Sequence, residues 1–230
     1  MKFENTEVFN FEGALRGMRQ PLQSHIKSDS KYWLPNEYID EYERITNEEI
    51  SWTPYYIGEN DMDLAQRLVK VGSPHRKFMR QIFVSVDITA PLFWWKECDT
   101  YKVATVANST STMHKLATTP ITRQCFEMDD YEGRLGMIDP QILDVSIDIF
   151  LDNLEQLRQM YLNTKDIRYW KELIRWLPEG WLQTRTWTGN YEILRTIYFD
   201  RRNHKLIEWH KFCDWIAKLP YADELIMLEE

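Results

Sequence analysis

Residues 81–89 read QIFVSVDIT, and isoleucine or valine alternates there with phenylalanine, serine, aspartate and threonine. The even positions from Ile82 to Ile88 would share one face of a β-strand, because successive side chains of a strand point to opposite sides of its sheet. The odd positions from Phe83 to Thr89 would share the other face. The segment therefore predicts a strand whose two faces meet different surroundings.

Helices are predicted on both sides of this strand. Pro91 precedes the apolar run LFWW at residues 92–95, and proline is favoured at a helix start, where its missing N–H is not needed. Residues 61–71 carry acids in their first turn and end at Gly72, as helices commonly do. Residues 103–112 are rich in β-branched and hydroxyl side chains and predict a loop or a short strand.

The second half of the chain is mostly helical by its pattern. Asp139-Pro140 is typical of a helix start, and apolar residues recur every three or four positions from Leu143 to Tyr161, which predicts a core helix. Further predicted elements are helices at residues 166–176, 190–199 and 206–216 and an extended segment at residues 184–188. The first 60 residues read as short helices and loops, with an amphipathic turn and helix at residues 36–45. This mixture predicts an α+β fold.

Composition limits the classes of protein to which the chain can belong. Its 230 residues are 43% hydrophobic, so we expect one domain with one substantial core. The net charge of −8 argues against a surface that holds duplex nucleic acid, because phosphate binding relies on clustered Lys and Arg. Neither a membrane helix nor a signal peptide is recognisable, so a cytoplasmic protein is expected. The three cysteines have no C-x-x-C spacing and are expected to be buried thiols.

One stretch is locally basic. Residues 166–211 contain nine Lys or Arg and six Asp or Glu, a difference of three positive charges, so an anion could bind there. Several common motifs are absent from the sequence, namely G-x-G-x-x-G, the phosphate-binding G-x-x-x-x-G-K-[ST], H-E-x-x-H and G-x-S-x-G. The mechanisms that depend on those motifs therefore have no support, and no metal site is predicted.

Two segments carry polar residues in a pattern that indicates a ligand site. The first combines APLF at residues 90–93, YKVAT at 101–105 and NSTS at 108–111. The second combines LP at residues 177–178, TR at 184–185, WT at 187–188, and then Asn190, Arg201 and His204.

Together these segments resemble the flavin-dependent thymidylate synthases, also called thymidylate synthase complementing proteins. The family signature reads R-H-R-x-x-S-x-N-E-x-S-x-R-Y after a strand with an A-P-like end, and the spacing agrees here except for one residue inserted before Asn108. In the family an arginine follows the W-T-x-N asparagine by eleven residues, as Arg201 follows Asn190. His204 and Glu208 come one position earlier than their family counterparts.

The resemblance implies a central, mostly antiparallel sheet flanked by long helices. It implies FAD as the cofactor, deoxyuridine monophosphate (dUMP) as the substrate, and methylenetetrahydrofolate and NADPH as co-substrates in methylation to dTMP. It also implies a homotetramer whose subunits share their sites, with no membrane or duplex nucleic acid as a partner.

Arg201 is the catalytic candidate that the resemblance implies, and it is also a substrate contact. A permanent cation with a planar set of donors would stabilise negative charge on the uracil carbonyls as C5 becomes nucleophilic. The other implied substrate contacts are Arg175, Ser109 and Ser111. The implied cofactor contacts are Ser73, Lys102, Thr105, Asn108, Asn190 and His204.

The chain departs from the family at residues that hold anions. The R-H-R triplet is replaced by TYK at residues 100–102, and the last arginine of the signature by Met113 or His114. Residues 74–77 read PHRK where the family has an acid, so a local charge is reversed. The cations that could replace the lost charge from another direction are Arg76, Lys77 and Arg80.

Other interpretations stay open at this point. A catalytically silent relative would bind a nucleotide or a protein partner, and the loss of R-H-R favours it. Single-stranded nucleic acid could stack on the tryptophans of residues 166–211. Asn190 could be a helix cap, residues 108–111 a polar loop, and Trp94 and Trp95 part of the core instead of stacking partners of a flavin.

Overall fold

A computed structural model describes residues 1–32, 55–129 and 140–229. The predicted helix at residues 36–45 lies outside the described residues, as does Asp139. The strands are β1 (Lys2–Phe9), β2 (Lys31–Tyr32), β3 (Tyr55–Tyr56), β4 (Phe83–Pro91), β5 (Val106–Ser109) and β6 (Leu182–Asn190). The α-helices are α1 (Phe11–Arg19), α2 (Glu59–Val71), α3 (Leu92–Cys98), α4 (Thr112–Lys115), α5 (Pro140–Thr164), α6 (Ile167–Arg175), α7 (Tyr191–Arg201) and α8 (Ile207–Ile216). Short 3₁₀ turns lie at Gln20–Leu22, His25–Lys27, Lys77–Gln81 and Arg123–Cys125, and a π turn at Ala222–Ile226.

Four strands form the main sheet in the order β1, β4, β6, β5. Strands β4 and β6 are antiparallel: Asp87 lies opposite Thr186 with oxygens 2.5 Å apart, and Ser85 lies opposite Thr188 with oxygens 3.4 Å apart. Strands β2 and β3 form a separate antiparallel pair. A mostly antiparallel sheet combined with helices confirms the predicted α+β class.

The alternation along β4 is confirmed. The even positions from Ile82 to Ile88 are fully buried, whereas Phe83 on the opposite face is exposed. Burying each β-branched side chain contributes about 1.5–3 kcal/mol relative to leaving it in water. A register slip of one residue would move all of these side chains to the other face, so the pairing of β4 is strongly specified.

The predicted helices that fall within the described residues are confirmed, with ends shifted by a few residues at most. Helix α2 ends at Val71, where Gly72 has a φ of 112° in the left-handed region that favours glycine. Helix α6 follows Asp166, whose carboxylate accepts a hydrogen bond of 2.9 Å from the backbone N–H of Arg168. The extended segment at residues 184–188 lies within β6.

The prediction of short helices and loops is wrong for residues 2–9, which form β1. Val8 is the single buried residue of this strand, so no apolar alternation marks it in the sequence. Its place is held by pairing at the sheet edge, where the side-chain amide of Asn5 donates to Asp87 at 2.8 Å. Hydrogen bonding to a neighbouring strand leaves no local signal in sequence periodicity.

The chain divides into two compact units. The smaller unit contains Thr89–Asp99, Ser109–Arg185 and Met1, and the larger unit contains Lys2–Ile88, Thr100–Asn108 and Thr186–Glu230. The core of the smaller unit consists of Leu116, Ile121, Phe126, Leu151, Leu154, Leu173 and Trp181. Fully buried aromatic residues in the core of the larger unit are Tyr191, Trp209 and Phe212.

Two further predictions hold only in part. Helix α5 buries Leu151 and Leu154, but Phe150, which belongs to the predicted core stripe, is exposed. Cys98 and Cys213 are buried free thiols, whereas Cys125 is only half-buried. Across the described ranges, every helix is too short or too polar to cross a membrane.

A buried arginine ties helix α5 to the segment before it. Arg158 donates from Nη1 to the carbonyl of Ala117 at 2.9 Å, and from Nε and Nη2 to Glu155 at 2.7 and 2.6 Å. Glu155 also accepts from the backbone N–H of Ile121 at 2.8 Å. The hydrogen bonds from Arg158, helped by the one from Ile121, lower the pKa of Glu155 from 4.5 to about 2.

Glu155→Gln is expected to make the stability of the protein fall less steeply as the pH is lowered. Because the folded chain holds the pKa of Glu155 at about 2, below its ordinary 4.5, the unfolded chain binds more protons in this range. The stabilisation is therefore complete above pH 4.5 and is lost as the pH falls towards 2. Melting temperatures measured across this window should fall less steeply in the variant than in the wild type. Asp152→Asn, an exposed carboxylate on the same helix, is the control, and equal slopes in all three proteins would contradict the assignment.

Candidate functional site

Arg201, the last residue of α7, is half-buried and packs against two aromatic rings of the larger unit. Its guanidinium carbon lies 4.6 Å from the ring centroid of Trp209 and 5.4 Å from that of Tyr101. Its Nε donates to the hydroxyl of Tyr101 at 2.8 Å. Cation–π contacts contribute about 0.5–2 kcal/mol each, depending on exposure, so the rings hold the guanidinium in one place.

Tyr101 joins the two sequence segments that indicated a site. It is the central residue of the TYK triplet, and its hydroxyl donates to Asp200 at 3.2 Å while it accepts from Arg201. Burial raises the pKa of Tyr101 above its ordinary value, although Arg201 acts in the opposite direction. The phenol is therefore protonated at neutral pH and can donate to Asp200.

Two further predicted residues lie around these rings. Thr105 donates from Oγ1 to the backbone carbonyl of Tyr101 at 2.6 Å. The ring of His204 lies 6.2 Å from that of Trp209, and its Nδ1 accepts from the backbone N–H of Leu206 at 3.2 Å. We call this group, consisting of Tyr101, Thr105, Arg201, His204 and Trp209, the Arg201 site.

Sequence reasoning did not find Tyr101 or Trp209 as partners of Arg201. Tyr101 and Arg201 are separated by 100 positions and meet only through the fold. Trp209 lies within the predicted helix at residues 206–216, and it is fully buried. A tryptophan eight positions after an arginine carries no signal of a cation–π contact, because α7 and α8 are different helices.

The predicted residues Asn190 and Ser73 lie at the opposite end of α7. Asn190 is buried and caps the helix, since its side-chain oxygen accepts from the backbone N–H of Ile193 at 3.0 Å. This confirms its structural interpretation. Ser73 donates to Glu192 in the first turn of α7 at 3.0 Å. Helix α7 has 11 residues, so about 16 Å of helix separates this group from the Arg201 site.

The region of reversed charge surrounds Ser73. Arg76 forms an ion pair with Glu192, with Nε and Oε2 3.0 Å apart, and both side chains are mostly buried. Arg80 donates from Nη2 to Ser73 at 2.8 Å. Arg76 therefore serves to join this loop to α7, while Lys77 and Arg80 are exposed.

Lys102 and Asn108 are both exposed in the larger unit. Lys102 lies in the loop before β5, and Asn108 lies on β5 itself. Among the described residues, no group of three His, Cys, Asp or Glu side chains is placed to hold a metal ion.

Three predicted substrate contacts lie in the smaller unit. Ser109 ends β5 and is exposed. Ser111 caps α4, and its hydroxyl lies 2.8 Å from Nδ1 of His114. Arg175 ends α6 and pairs with Glu172. Helices α4 and α6 touch where the indole N–H of Trp170 donates to the carbonyl of Met113 at 3.3 Å, so Ser111 and Arg175 lie on contacting elements.

Most tryptophans among the described residues are buried and unavailable for stacking on a ligand. Trp94 and Trp95 are fully buried, which confirms their place in the core. Within residues 166–211, Trp181, Trp187 and Trp209 are also buried, and Trp176 is exposed. The stacking surface that single-stranded nucleic acid would need is therefore mostly absent from this stretch of the described chain.

The sequence also did not predict a cleft of about 1030 Å³ in the larger unit. It lies between the end of α1, the outer side of α2 and residues 74–81. We call it the basic cleft because five of its lining residues are Arg or Lys and one is acidic, namely Arg19, Lys27, Arg67, Lys77 and Arg80 against Asp63. The signal that could have found it is the run of cations after Pro74.

The chain has the fold of known flavin enzymes. The structure is similar to flavin-dependent thymidylate synthase ThyX from Helicobacter pylori complexed with FAD and dUMP, with a TM-score of 0.64, 15% identity, and 98% of each chain covered. A second structure of ThyX from Helicobacter pylori with FAD and dUMP has a TM-score of 0.64 and 14% identity, with 98% of this chain and 97% of that chain covered. No protein-family model matches the sequence, and no curated protein matches it by sequence.

Proposed function

We propose that the chain is a cytoplasmic enzyme of the flavin-dependent thymidylate synthase type. It binds a pyrimidine deoxynucleotide at the Arg201 site, with FAD as cofactor, and methylates dUMP with methylenetetrahydrofolate and NADPH. The observation that carries the proposal is the 2.8 Å hydrogen bond from Arg201 to Tyr101, because it joins the two signature-like segments of the sequence. The similarity in fold to enzymes with FAD and dUMP supports it.

Arg201 acts in this proposal as a fixed cation against the uracil. The two rings and the hydroxyl of Tyr101 hold the guanidinium before substrate arrives, so little reorganisation is needed when negative charge develops. An arginine suits this role because it stays protonated and presents several donors in one plane. Thr105 and His204 contact the two aromatic residues that hold Arg201, Thr105 through the backbone carbonyl of Tyr101 and His204 through the ring of Trp209.

Described residues with the right chemistry for FAD are present. Hydroxyl, ammonium and imidazole groups suit the ribityl and phosphate oxygens of the cofactor, and they are found at Ser73, Lys102, Thr105 and His204. When bound, a flavin would supply the two-electron reduction that completes the new methyl group. Asn190 contributes indirectly in this proposal, because its side-chain oxygen caps α7.

A second candidate function is nucleotide binding without flavin chemistry. Two observations favour it. The R-H-R triplet is replaced by TYK, and the hydroxyl of the central tyrosine, Tyr101, accepts the hydrogen bond from Nε of Arg201. Such a protein would keep the fold and the Arg201 site while lacking the cations that hold the cofactor in the family.

One set of measurements separates the two candidates. Purified protein is examined for a flavin absorption spectrum, and its melting temperature is measured with FAD, dUMP and NADPH, since a ligand that binds the native state raises it. Release of tritium from C5-labelled dUMP measures the chemistry. The enzyme proposal expects a yellow protein, stabilisation by FAD and dUMP, and tritium release. Stabilisation by dUMP alone, without tritium release, would support the second candidate instead.

We further propose that the enzyme is a homotetramer and that helix α5 lies at a subunit interface. Ile142, Val145 and Ile149 recur at intervals of three and four residues and are 62%, 57% and 57% exposed. They lie on the side of α5 opposite to the core residues Leu151 and Leu154. A helix that is apolar on two sides is typical of one buried between two bodies, and a second copy of the chain would cover the outer side.

Ile149→Glu is expected to dissociate the tetramer, because it places a charge on the apolar outer side of α5. Sedimentation velocity should show a smaller species than the wild type at the same concentration. Gln124→Glu adds the same charge at an exposed position of the smaller unit and should leave the mass unchanged. Identical masses for Ile149→Glu and the wild type would exclude this side of α5 as the interface.

A further inference from the structure

The basic cleft carries positive charge that the described protein does not neutralise. Arg67 pairs with Asp63 at 2.7 Å, and Arg19 pairs with the buried Asp61 at 2.5 Å. The remaining lining cations, Lys27, Lys77 and Arg80, form no ion pair with any described carboxylate. In a chain with a net charge of −8, three such cations around one cleft require an explanation.

Two of these cations are aligned by local geometry. Lys77 and Arg80 lie three positions apart in the 3₁₀ turn Lys77–Gln81. Residues at i and i+3 of a 3₁₀ helix project from the same side, so both side chains line the cleft as neighbours. Arg80 is also held in place by its 2.8 Å hydrogen bond to Ser73. A pair of adjacent cations is a better match for two adjacent anionic groups than for a single anionic group.

The other part of the lining is apolar. Leu64 and Leu68, on α2, and Phe78, in the 3₁₀ turn, contribute to the walls. The volume of about 1030 Å³ is at the upper end of the range for small-molecule sites, which is roughly 300–1,000 Å³. A cleft with an apolar wall beside a cationic rim suits a ligand that has a flat ring at one end and phosphates at the other.

We propose that the basic cleft binds a ligand in which a ring system is joined to a diphosphate group. This site is distinct from the Arg201 site, because none of Tyr101, Arg201 and Trp209 lines the cleft. The diphosphate contacts Lys77 and Arg80, Lys27 adds a third cation, and the ring lies against Leu64 and Leu68. FAD, NADPH and free nucleoside diphosphates all carry this chemistry. The proposal goes beyond the methylation reaction and applies equally to a catalytically silent chain.

Isothermal titration of the full chain with ADP, AMP and inorganic pyrophosphate tests the chemistry. ADP should bind about tenfold more tightly than AMP, since it places one more phosphate against the cations, and more tightly than pyrophosphate, which lacks the ring. Lys77→Glu and Arg80→Glu should each weaken ADP binding about tenfold or more, and added salt should weaken it further. Lys218→Glu, an exposed position of the larger unit outside the cleft lining, makes the same charge change and should leave the affinity within about twofold.

Lys77 and Arg80 are exposed, so both variants should keep the wild-type melting temperature. Equal affinities for ADP and AMP, or ADP binding unchanged in Lys77→Glu and Arg80→Glu, would overturn the proposal. Pyrophosphate binding as tight as ADP would overturn the role of the apolar wall. Titration of the wild type and of Lys77→Glu with FAD and NADPH then shows which source of the diphosphate the cleft prefers, because binding at the Arg201 site is common to both proteins. Binding of dUMP should be unaffected by Lys77→Glu, so a failure here is distinguishable from a failure of the Arg201 site.

Discussion

Arg201→Ala is expected to lower kcat for dUMP methylation by about 10²–10³-fold, which is the usual cost of removing one preorganised donor from a site of developing charge. The guanidinium is held by the rings of Tyr101 and Trp209 and by a hydrogen bond to the hydroxyl of Tyr101, so its removal takes away a preorganised cation. Arg201→Lys should recover only part of the rate, because an ammonium group lacks the planar set of donors. Tritium release from C5-labelled dUMP measures the effect.

The neighbouring arginine provides the matched control. Arg202 is exposed, pairs with Glu229 at 3.0 Å, and lies 4.8 Å from the ring centroid of Phe199. Arg202→Ala removes the same charge from the same helix end and should change kcat by less than about twofold. Melting temperatures of both variants separate a chemical effect from loss of the ring contacts. If Arg201→Ala turns over at the wild-type rate, Arg201 is not the catalytic residue.

Asp61→Ala is expected to destabilise the protein by about 3–5 kcal/mol, which is the usual cost of leaving one partner of a buried ion pair alone. Asp61 is 0% exposed and Arg19 is 4% exposed. The carboxylate accepts from Arg19 at 2.5 Å, and from the hydroxyls of Ser28 and Ser30 at 2.7 and 2.5 Å. Burial acts to raise the pKa of Asp61, but these hydrogen bonds outweigh it and hold the pKa below its ordinary value. Without the carboxylate of Asp61, the guanidinium of Arg19 would remain buried without its ion-pair partner.

Asp63→Ala is the control for this substitution. Asp63 lies on the same helix and pairs with Arg67 at 2.7 Å, but both side chains are about two-thirds exposed. An exposed pair contributes about 0–1 kcal/mol, so the two variants should differ by several fold in their effect on the free energy of unfolding. Urea denaturation measures both. Replacing both partners of the buried pair, in Arg19→Met with Asp61→Leu, should recover part of the loss. Equal effects of Asp61→Ala and Asp63→Ala would show that the buried pair does not stabilise the fold.

The local elements were predictable because their causes lie within a few residues. Strand β4 follows from alternation, the end of α2 from Gly72, and the start of α7 from Asn190, whose side chain bonds to a backbone N–H three positions later. Strand β1 was missed because pairing at a sheet edge stabilises it, with one buried side chain in eight residues. The cause of that strand is another part of the chain.

The sequence by itself determined the class of fold, most helix ends, and Arg201 as the residue to examine. Periodicity, capping and motif spacing are local properties, so they are legible without coordinates. The tertiary structure alone decided that Tyr101 and Trp209 contact Arg201, that Asn190 and Ser73 lie at the other end of α7, and that Lys27, Lys77 and Arg80 line one cleft. These groupings join residues that are far apart in the chain. Packing of the core decides which distant side chains meet, and no single segment contains enough information to specify that packing.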